Sequence, residues 1–273
     1  RGILPKMALF HIFLVAIIQG LTEFLPVSSS GHLILLSKVT PLPDQGLAID
    51  VAAHVGTLGA VILYFWRDAK EAFCGLPRML TGRIDTPGAR LALYLTLATI
   101  PVSIAGFLLK VTGLSDAMRS IAVIGWAMIL FGILLWWVDQ RSTQTRTESE
   151  WTLKDAVKMG LWQTLALIPG TSRSGITITG ARQLGFTRTD AAKLAMLMSI
   201  PTIIASGALL SLDVVKEADI GLAKDAAIAA VFSFFAALLA LALMMRLLRS
   251  VSFTPYVIYR ILLGVALLFI AYS

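Results

Sequence analysis

Six stretches of this sequence are long and apolar enough to cross a lipid bilayer as α-helices. A spanning helix needs about 20 mostly apolar residues. Only 14% of the residues are charged, whereas soluble domains carry about 25%. The sequence therefore predicts an all-α polytopic membrane protein, with spans at residues 49–66, 90–109, 119–138, 190–212, 225–247 and 255–272.

Two further apolar segments, residues 8–38 and 155–185, are broken by proline, glycine and hydroxyl residues. Each is long for one helix and short for two, which favours a re-entrant helical hairpin. Broken backbone at membrane depth is tolerated only where protein or a water-filled cavity surrounds it. The first apolar run is expected to stay in the mature protein, because it lacks a signal-peptide cleavage pattern and contains Glu23.

The net charge of +7 is better explained by membrane topology than by nucleic-acid binding. Basic residues cluster in the connections at 67–90, 139–158 and 246–249. These fall on one side if the spans alternate, and the positive-inside rule makes that side cytoplasmic. The turn at 41–46 and the first broken segment would then face outward, and the second broken segment inward. No basic helix with interleaved aromatics is present, so nucleic acid is not an expected partner.

The two broken segments resemble each other. Gln19 precedes Ser28 by nine residues in QGLTEFLPVSSSG, and Gln163 precedes Ser172 by nine in QTLALIPGTSRSG. Shared Gln, Pro and Ser-x-Ser-Gly elements at opposite predicted orientations indicate an inverted-topology duplication, whose sites lie where unwound helices meet near the midplane. We expect one domain over residues 1–273, built from repeats at about 7–138 and 153–273.

The first broken segment concentrates groups suited to a polar site. Gln19 and Glu23, four residues apart, share one helical face. Serines before a new apolar run are typical helix caps, and amides exposed at a helix start bind phosphate. Capping does not explain Glu23, because a membrane carboxylate costs about 2.5–3.5 kcal/mol and is functional by default. The candidate residues here are Gln19, Glu23, Ser28, Ser29, Ser30, Gly31 and His32.

The second broken segment supplies a cation. Arg173 presents a planar guanidinium that matches phosphate oxygens bidentately. The alternatives are snorkelling to the interface or pairing with a structural acid, but flanking serines and glycines favour a site. The candidates are Gly170, Ser172, Arg173, Ser174 and Thr177. Together the two segments form a set of groups suited to phosphoryl transfer.

Three other features are weaker. Asp50 and His54, four residues apart at the start of a span, either support this site from behind or form an interfacial hydrogen-bonded pair. His11 is expected to be structural. Cys74, the one cysteine, excludes an internal disulfide.

QGLTEFLPVSSSGH followed by PGTSRSGITITG resembles the motifs of the undecaprenyl-diphosphate phosphatase family, also called bacitracin-resistance proteins. The first string is similar to (E/Q)-x-x-x-E followed by P-V-S-S-x-G-H, and the second to P-G-x-S-R-S-G-x-T. IDVAAHVGTLGAVILYFWRD also fits the family pattern, so the resemblance covers nearly the whole chain. The first position of the motif accepts Glu or Gln and is Gln19 in this sequence, so Glu23 is the sole carboxylate of the first motif.

The resemblance implies six spanning helices and two re-entrant hairpins in inverted repeats. The implied activity is hydrolysis of undecaprenyl diphosphate, a C55 polyprenyl lipid, to the monophosphate carrier of cell-wall glycan assembly and inorganic phosphate. The implied location is a bacterial inner membrane, with the site facing outward. Family members are linked to bacitracin resistance because the antibiotic sequesters the diphosphate. The sequence is compatible with a homodimer but does not require one.

Under this interpretation, Arg173 binds the phosphates and Glu23 holds a divalent cation, Mg²⁺ or Ca²⁺. Ser29 is the preferred nucleophile, with His32 as its base. Two alternatives stay open: His32 attacks phosphorus itself, or it is the base for a metal-activated water. The predicted substrate-binding residues are Gln19, Ser28, Ser30, Gly31, Gly170, Ser172, Ser174 and Thr177, with Asp50 and His54 behind them.

A transporter or lipid flippase is the main rival interpretation, because inverted repeats and broken helices are its usual architecture. The combination of hydroxyl, imidazole and carboxylate favours the enzyme, since carriage alone does not need it. An intramembrane serine protease is a more distant rival, because the arginine of GTSR suits phosphate better than a peptide carbonyl.

Overall fold

A computed structural model of the chain describes residues 9–39, 46–114, 118, 120–214 and 220–273. Regular structure in these ranges is helical, with 3-10 turns at Glu148–Glu150 and Leu165–Leu167. The α-helices are α1 (Leu9–Phe24), α2 (Ser29–Val39), α3 (Leu47–Tyr64), α4 (Trp66–Leu80), α5 (Pro87–Thr112), α6 (Ile121–Arg141), α7 (Leu153–Thr164), α8 (Arg173–Gln183), α9 (Arg188–Val214), α10 (Ile220–Leu247) and α11 (Thr254–Tyr272). The first residues of the predicted first repeat and most of the predicted outward turn at 41–46 lie outside the described ranges.

Six helices in the described ranges are long and apolar enough to span a membrane, namely α3, α5, α6, α9, α10 and α11. The six predicted spans are therefore confirmed, with ends that differ by a few residues. Large apolar side chains such as Phe107, Phe235 and Phe269 are exposed on their outer surfaces. Such exposure is expected where lipid rather than water is the solvent.

The basic connection at residues 67–90 contains a helix that the sequence analysis did not predict. α4 carries charged residues along one face and the exposed apolar residues Phe73 and Leu80 on its surface. It packs against α5, and a Cβ atom on Gly75 would lie 2.1 Å from the carbonyl carbon of Gly88. A glycine pair thus allows this short helix to lie directly against a span.

Both broken segments form a pair of helices around a short non-helical break. The breaks fall between α1 and α2 and between the turn after α7 and α8. Each ends on a serine with left-handed backbone, Ser28 (φ 72°) and Ser172 (φ 70°). This conformation is uncommon for a residue other than glycine and costs about 1–3 kcal/mol. Its presence at matching positions supports the internal duplication, while the membrane depth of the two helix pairs stays a prediction.

The helices pack in a pattern that repeats between the two halves. α1 lies against α10, and α7 lies against α5 in the same way. Glycines permit both contacts. A Cβ atom on Gly20 would lie only 2.6 Å from the carbonyl oxygen of Ser233, and a Cβ atom on Gly160 would lie only 2.6 Å from the carbonyl oxygen of Ala98. α3 packs on α10 and α6 on α11, so the breaks are enclosed by spans.

Candidate active site

A polar cavity of about 230 Å³ lies where the two breaks face each other. It receives side chains from the end of α1, the first break and the start of α2, the second break with the turn before it, α3 and α9. Its lining residues are Thr22, Glu23, Ser28, Ser29, Ser30, His54, Ala166, Gly170, Ser172, Arg173, Thr202, Ile203 and Ser206. Most of the predicted site residues therefore meet in one place.

An ion pair joins the two broken segments across this cavity. Glu23 lies in the last turn of α1 and Arg173 begins α8, and Arg173 Nη2 donates to Glu23 Oε1 at 2.5 Å. The other arm of the guanidinium donates to the carbonyl oxygen of Ser199 on α9 at 3.2 Å. Removing one partner of such a buried pair costs about 3–5 kcal/mol, because the other charge is left uncompensated.

Three consecutive serines lie close to this pair: Ser28 ends the first break, and Ser29 and Ser30 begin α2. Ser29 Oγ donates to Glu23 Oε2 at 3.4 Å, so the hydroxyl and the carboxylate are in contact. Ser28 Oγ and Ser30 Oγ lie 3.0 Å apart, and Ser30 Oγ accepts from the amide of Gly170 at 3.3 Å. The start of α2 therefore contacts the second break directly, through a hydroxyl that also lines the cavity.

His32 does not line the cavity. Its Nδ1 lies 2.7 Å from the carbonyl oxygen of Ser28, and its Nε2 lies 2.7 Å from Tyr259 Oη on α11. The ring is stacked on that of Tyr259, with centroids 5.5 Å apart. Both ring nitrogens are thus engaged away from Ser29, because the first turn of α2 turns the imidazole toward α11. The catalytic role of His32 stays a prediction.

His54 reaches the cavity from α3. Its Nδ1 lies 2.8 Å from the carbonyl oxygen of Asp50, an oxygen that can only accept. His54 Nε2 is therefore free of a proton in the neutral ring, and it lies 3.2 Å from Gln19 Nε2 and 3.8 Å from Glu23 Oε2. Gln19 Nε2 also donates to Glu23 Oε2 at 2.7 Å. Asp50 contributes through its backbone, while His54 itself faces the site.

The predicted hydroxyls of the second segment divide into two groups. Ser172 lines the cavity, and its Oγ accepts from the amide of Gly175 at 3.2 Å, which caps α8. Ser174 Oγ instead donates to the carbonyl oxygen of Leu25 in the first break, at 2.9 Å. Thr177 Oγ1 donates to the carbonyl oxygen of Arg173 at 2.5 Å. Ser174 and Thr177 therefore organise backbone and do not line the cavity.

The two predicted glycines allow close packing on α6. Gly170 has φ +91°, and a Cβ atom there would lie 2.5 Å from the carbonyl oxygen of Ile124. A Cβ atom on Gly31 would lie 2.6 Å from the sulfur of Met128. Gly170 also lines the cavity, whereas Gly31 positions α2 against the neighbouring span.

Two groups that line the cavity and one behind it fit a divalent cation. They are the Glu23 carboxylate, the unprotonated Nε2 of His54 and Gln19 Oε1, which is buried without a hydrogen-bond partner in the described part of the chain. Carboxylate and amide oxygens suit magnesium and calcium, and imidazole suits softer divalent ions. No cluster of three or more histidine, cysteine, aspartate or glutamate residues occurs in the described ranges. Such an ion would therefore keep several water or substrate ligands.

The sequence analysis missed several residues around the site. Thr202 and Ser206, four residues apart on α9, line the cavity. Hydroxyls spaced one helical turn apart just after Pro201 were a readable signal of a polar face in an apolar span. From α11, Tyr259 contacts His32 of α2, and Arg260 donates to the carbonyl oxygen of Pro26 in the first break. Arg260 is a charged residue inside a predicted span, which is by itself a mark of function.

Comparison with known proteins shows similarity along almost the whole chain. The model of the family described as bacitracin resistance protein BacA matches residues 12–266. An undecaprenyl-diphosphatase of Ruegeria pomeroyi is 68% identical over 267 residues, which cover 98% of this chain and 100% of the relative. One from Dinoroseobacter shibae is 67% identical over the same shares of both chains. A more distant undecaprenyl-diphosphatase, from Aliivibrio salmonicida, is 44% identical over 262 residues, covering 96% of this chain and 98% of the relative.

Proposed function

The chain belongs to the BacA family of bacitracin resistance proteins, and we propose that its polar cavity removes the terminal phosphate of undecaprenyl diphosphate. The protein is an undecaprenyl-diphosphate phosphatase, a hydrolase that acts on a phosphoric anhydride. Its products are undecaprenyl phosphate and inorganic phosphate, and the former returns to use as the lipid carrier of cell-wall synthesis. By consuming the lipid that bacitracin sequesters, this activity confers resistance to the antibiotic.

One observation carries this proposal. Glu23, Ser29 and Arg173 come from two different broken segments, yet all three line a single cavity, where Glu23 is hydrogen-bonded to both of the others. Phosphoryl transfer requires a cation for the phosphate oxygens and an activated nucleophile. A guanidinium, a carboxylate and a hydroxyl supply these two requirements within one cavity.

The reaction that these groups favour proceeds through a phosphoserine. Arg173 binds the terminal phosphate, and Ser29 Oγ attacks its phosphorus as the bond to the bridging oxygen breaks, so that undecaprenyl phosphate leaves. Glu23 accepts the proton of Ser29, because its Oε2 is already the acceptor of that hydroxyl. Water then attacks the phosphorus of the phosphoserine, and Glu23 returns its proton to Ser29 Oγ as that bond breaks. Inorganic phosphate leaves with one proton of the water, and the other passes to solvent. His32, engaged with Tyr259, would orient α2 rather than act as the base.

A divalent cation fits beside this arrangement. Glu23, His54 and Gln19 are the residues that would hold it. When bound, Mg²⁺ or Ca²⁺ supplies positive charge to the phosphate oxygens. Gln19 and His54 would also keep the Glu23 carboxylate oriented toward Ser29.

The substrate tail has an apolar groove beside the cavity. The groove, about 390 Å³, is lined by Ala105, Leu108 and Leu109 of α5 and by Leu165, Leu167 and Ile168 of the second segment. Ala166, between two of these residues, lines the polar cavity. A polyprenyl chain in the groove would therefore place its diphosphate at the second break.

The chain is a multi-pass membrane protein by its helices. We place it in a bacterial inner membrane with the cavity open to the outer face. The support is the set of basic connections at 67–90, 139–158 and 246–249, which alternating spans bring to the opposite, cytoplasmic side. Homodimer formation stays a prediction.

The direct test measures phosphate release from undecaprenyl diphosphate by the purified protein. We expect Arg173→Ala to lower kcat about 10²–10³-fold, the usual cost of removing a group that stabilises developing charge. Arg141→Ala, which removes an exposed cation at the end of α6, is the matched control and should retain activity. EDTA should abolish release if the cation is required, and inorganic diphosphate should show a much lower kcat/KM because it lacks the tail.

Three results would count against these assignments. No release by folded wild-type protein would contradict the phosphatase. Full activity of Arg173→Ala would remove the arginine from the site. Equal kcat/KM for inorganic diphosphate would contradict binding of the tail.

A further inference from the structure

A buried arginine on α11 contacts both breaks at once. Arg260 is 0% exposed and lies inside a candidate span. Its Nη1 donates to the carbonyl oxygen of Pro26 in the first break at 3.4 Å. Its Nη2 donates to the carbonyl oxygens of Gly170 and Thr171 in the second break, at 3.2 and 2.8 Å. One guanidinium therefore joins two backbone segments that lie more than 140 residues apart in the sequence.

Arg260 has no acidic partner within the described ranges, and its Nε is buried without a hydrogen-bond acceptor. Arg182 offers the contrast, because it is also 0% exposed but donates to the carboxylate of Asp139 at 2.8 Å. An uncompensated buried charge is expensive, and ionisable residues inside membrane segments mark functional positions. Packing alone therefore does not account for Arg260.

Glycines create the space that the guanidinium occupies. A Cβ atom on Gly175, in the first turn of α8, would lie 2.9 Å from Arg260 Nη1. One on Gly132, in α6, would lie 3.6 Å from Arg260 Nε, which is an ordinary contact, so Gly175 is the glycine whose missing side chain the guanidinium requires. The acceptors are carbonyls at the chain breaks, where helical hydrogen bonds are missing. The arginine thus substitutes for the backbone bonds that the two breaks give up.

Arg260 also adds positive charge near the cavity. Glu23 and Arg173 form a pair whose charges cancel, whereas the headgroup of a lipid diphosphate carries several negative charges. Interactions between charges are strong in a medium of low dielectric constant, even without direct contact. Arg260 adds an uncompensated positive charge directly behind both breaks.

We propose that Arg260 is a positioning residue for the phosphatase reaction: it holds the two breaks at the separation at which Arg173 pairs with Glu23, and its unpaired charge favours the anionic headgroup. This inference rests on the proposed function, because it assigns a role within the same site. It makes separate predictions for the geometry of the breaks and for the charge.

The test compares Arg260→Met, Arg260→Lys and the control Arg182→Met in the phosphate-release assay. Arg260→Met should lower kcat about 100-fold, the cost of a misplacement of about 1 Å. It should also raise KM about tenfold through loss of the charge. Arg260→Lys should recover KM but not kcat, because an ammonium keeps the charge but does not reproduce the planar contacts with three carbonyls. Arg182→Met should lower Tm and leave kcat and KM of the folded fraction unchanged.

A binding measurement tests the charge independently of turnover. Inorganic diphosphate should raise the Tm of wild-type protein and of Arg260→Lys, and should raise that of Arg260→Met much less. Wild-type kcat and KM in Arg260→Met would overturn the proposal. So would a loss of activity that is explained by a lowered Tm alone, as expected for the control Arg182→Met. Recovery of kcat by Arg260→Lys would reject the positioning role. Inactive wild-type protein would instead reject the phosphatase, and the Tm shifts would still decide the role of the charge.

Discussion

In the first broken segment the last turn of α1 carries a carboxylate, Glu23, and in the second α8 begins on a guanidinium, Arg173, although a left-handed serine occupies the matching position in both breaks. The surroundings differ as well. α8 is buried from Ser174 to Arg182, whereas α2 is half-buried around His32 and α1 begins with the exposed apolar residues Leu9 and Phe10.

The second segment is also anchored by ion pairs at both ends. Near the start of α7, Arg146 donates to Asp155 at 2.7 Å. Beyond the end of α8, Asp139 accepts from Arg182 at 2.8 Å and from Arg188 at 3.0 Å. The two segments thus differ in their surroundings, and the proposed mechanism gives them different tasks. In that mechanism the second segment presents the phosphate-binding arginine, and the first supplies the reactive hydroxyl and carboxylate.

Glu23→Gln should break this division of labour most strongly. Without the carboxylate, Ser29 loses its base and Arg173 loses its partner, so kcat for phosphate release should fall about 10³–10⁴-fold. The control is Glu71→Gln, which changes an exposed acid on α4 and should retain activity. Release by Glu23→Gln within tenfold of wild type would place the base elsewhere and return His32 to that role.

Asp139→Asn tests the anchoring of the second segment. It leaves two arginines without their charged partner, one of them fully buried, and should lower the free energy of unfolding by about 3 kcal/mol. This is the low end of the usual cost, because the asparagine oxygen can still accept from Arg182. Unfolding in detergent measures the effect, with Asp85→Asn as control, since Asp85 pairs with Arg78 in an exposed position. Equal shifts in the two variants would show that the second segment is not held by this network.

Much of the fold and site was predictable because the signals are local. Apolar runs predicted the six spans, and the repeated spacing of Gln19 to Ser28 predicted two equivalent breaks. Motif residues such as Ser29 and Arg173 were expected at one site, and they line one cavity. The direction in which a side chain points, in contrast, depends on its tertiary contacts, and a local sequence pattern does not show these.

The structure differs from the sequence-based predictions where tertiary contacts set the orientation of a side chain. His32 turns to Tyr259, more than 200 residues away, and a spacing argument within α2 cannot foresee that choice. His54 faces the cavity because Gly56, with a would-be Cβ 2.1 Å from the carbonyl oxygen of Ala230, brings α3 against α10. Helix α4 was not predicted from the sequence, because its charged residues were interpreted as part of a loop. In the structure they lie on one face of the helix.

The two equivalent glutamines allow the finest comparison of the segments. Gln19 donates to Glu23 at 2.7 Å, whereas Gln163 donates to the carbonyl oxygen of Ala98 at 3.4 Å. A hydrogen bond to a charged group contributes about 1.5–3 kcal/mol to stability, so Gln19→Ala should lower Tm and, because Glu23 loses a partner that orients it, should also lower kcat/KM about tenfold or more. Gln163→Ala should lower Tm through a lost buried contact and leave kcat/KM unchanged. If both variants lose activity to the same extent, the second glutamine also serves the reaction, and the two segments divide their tasks less sharply than their contacts indicate.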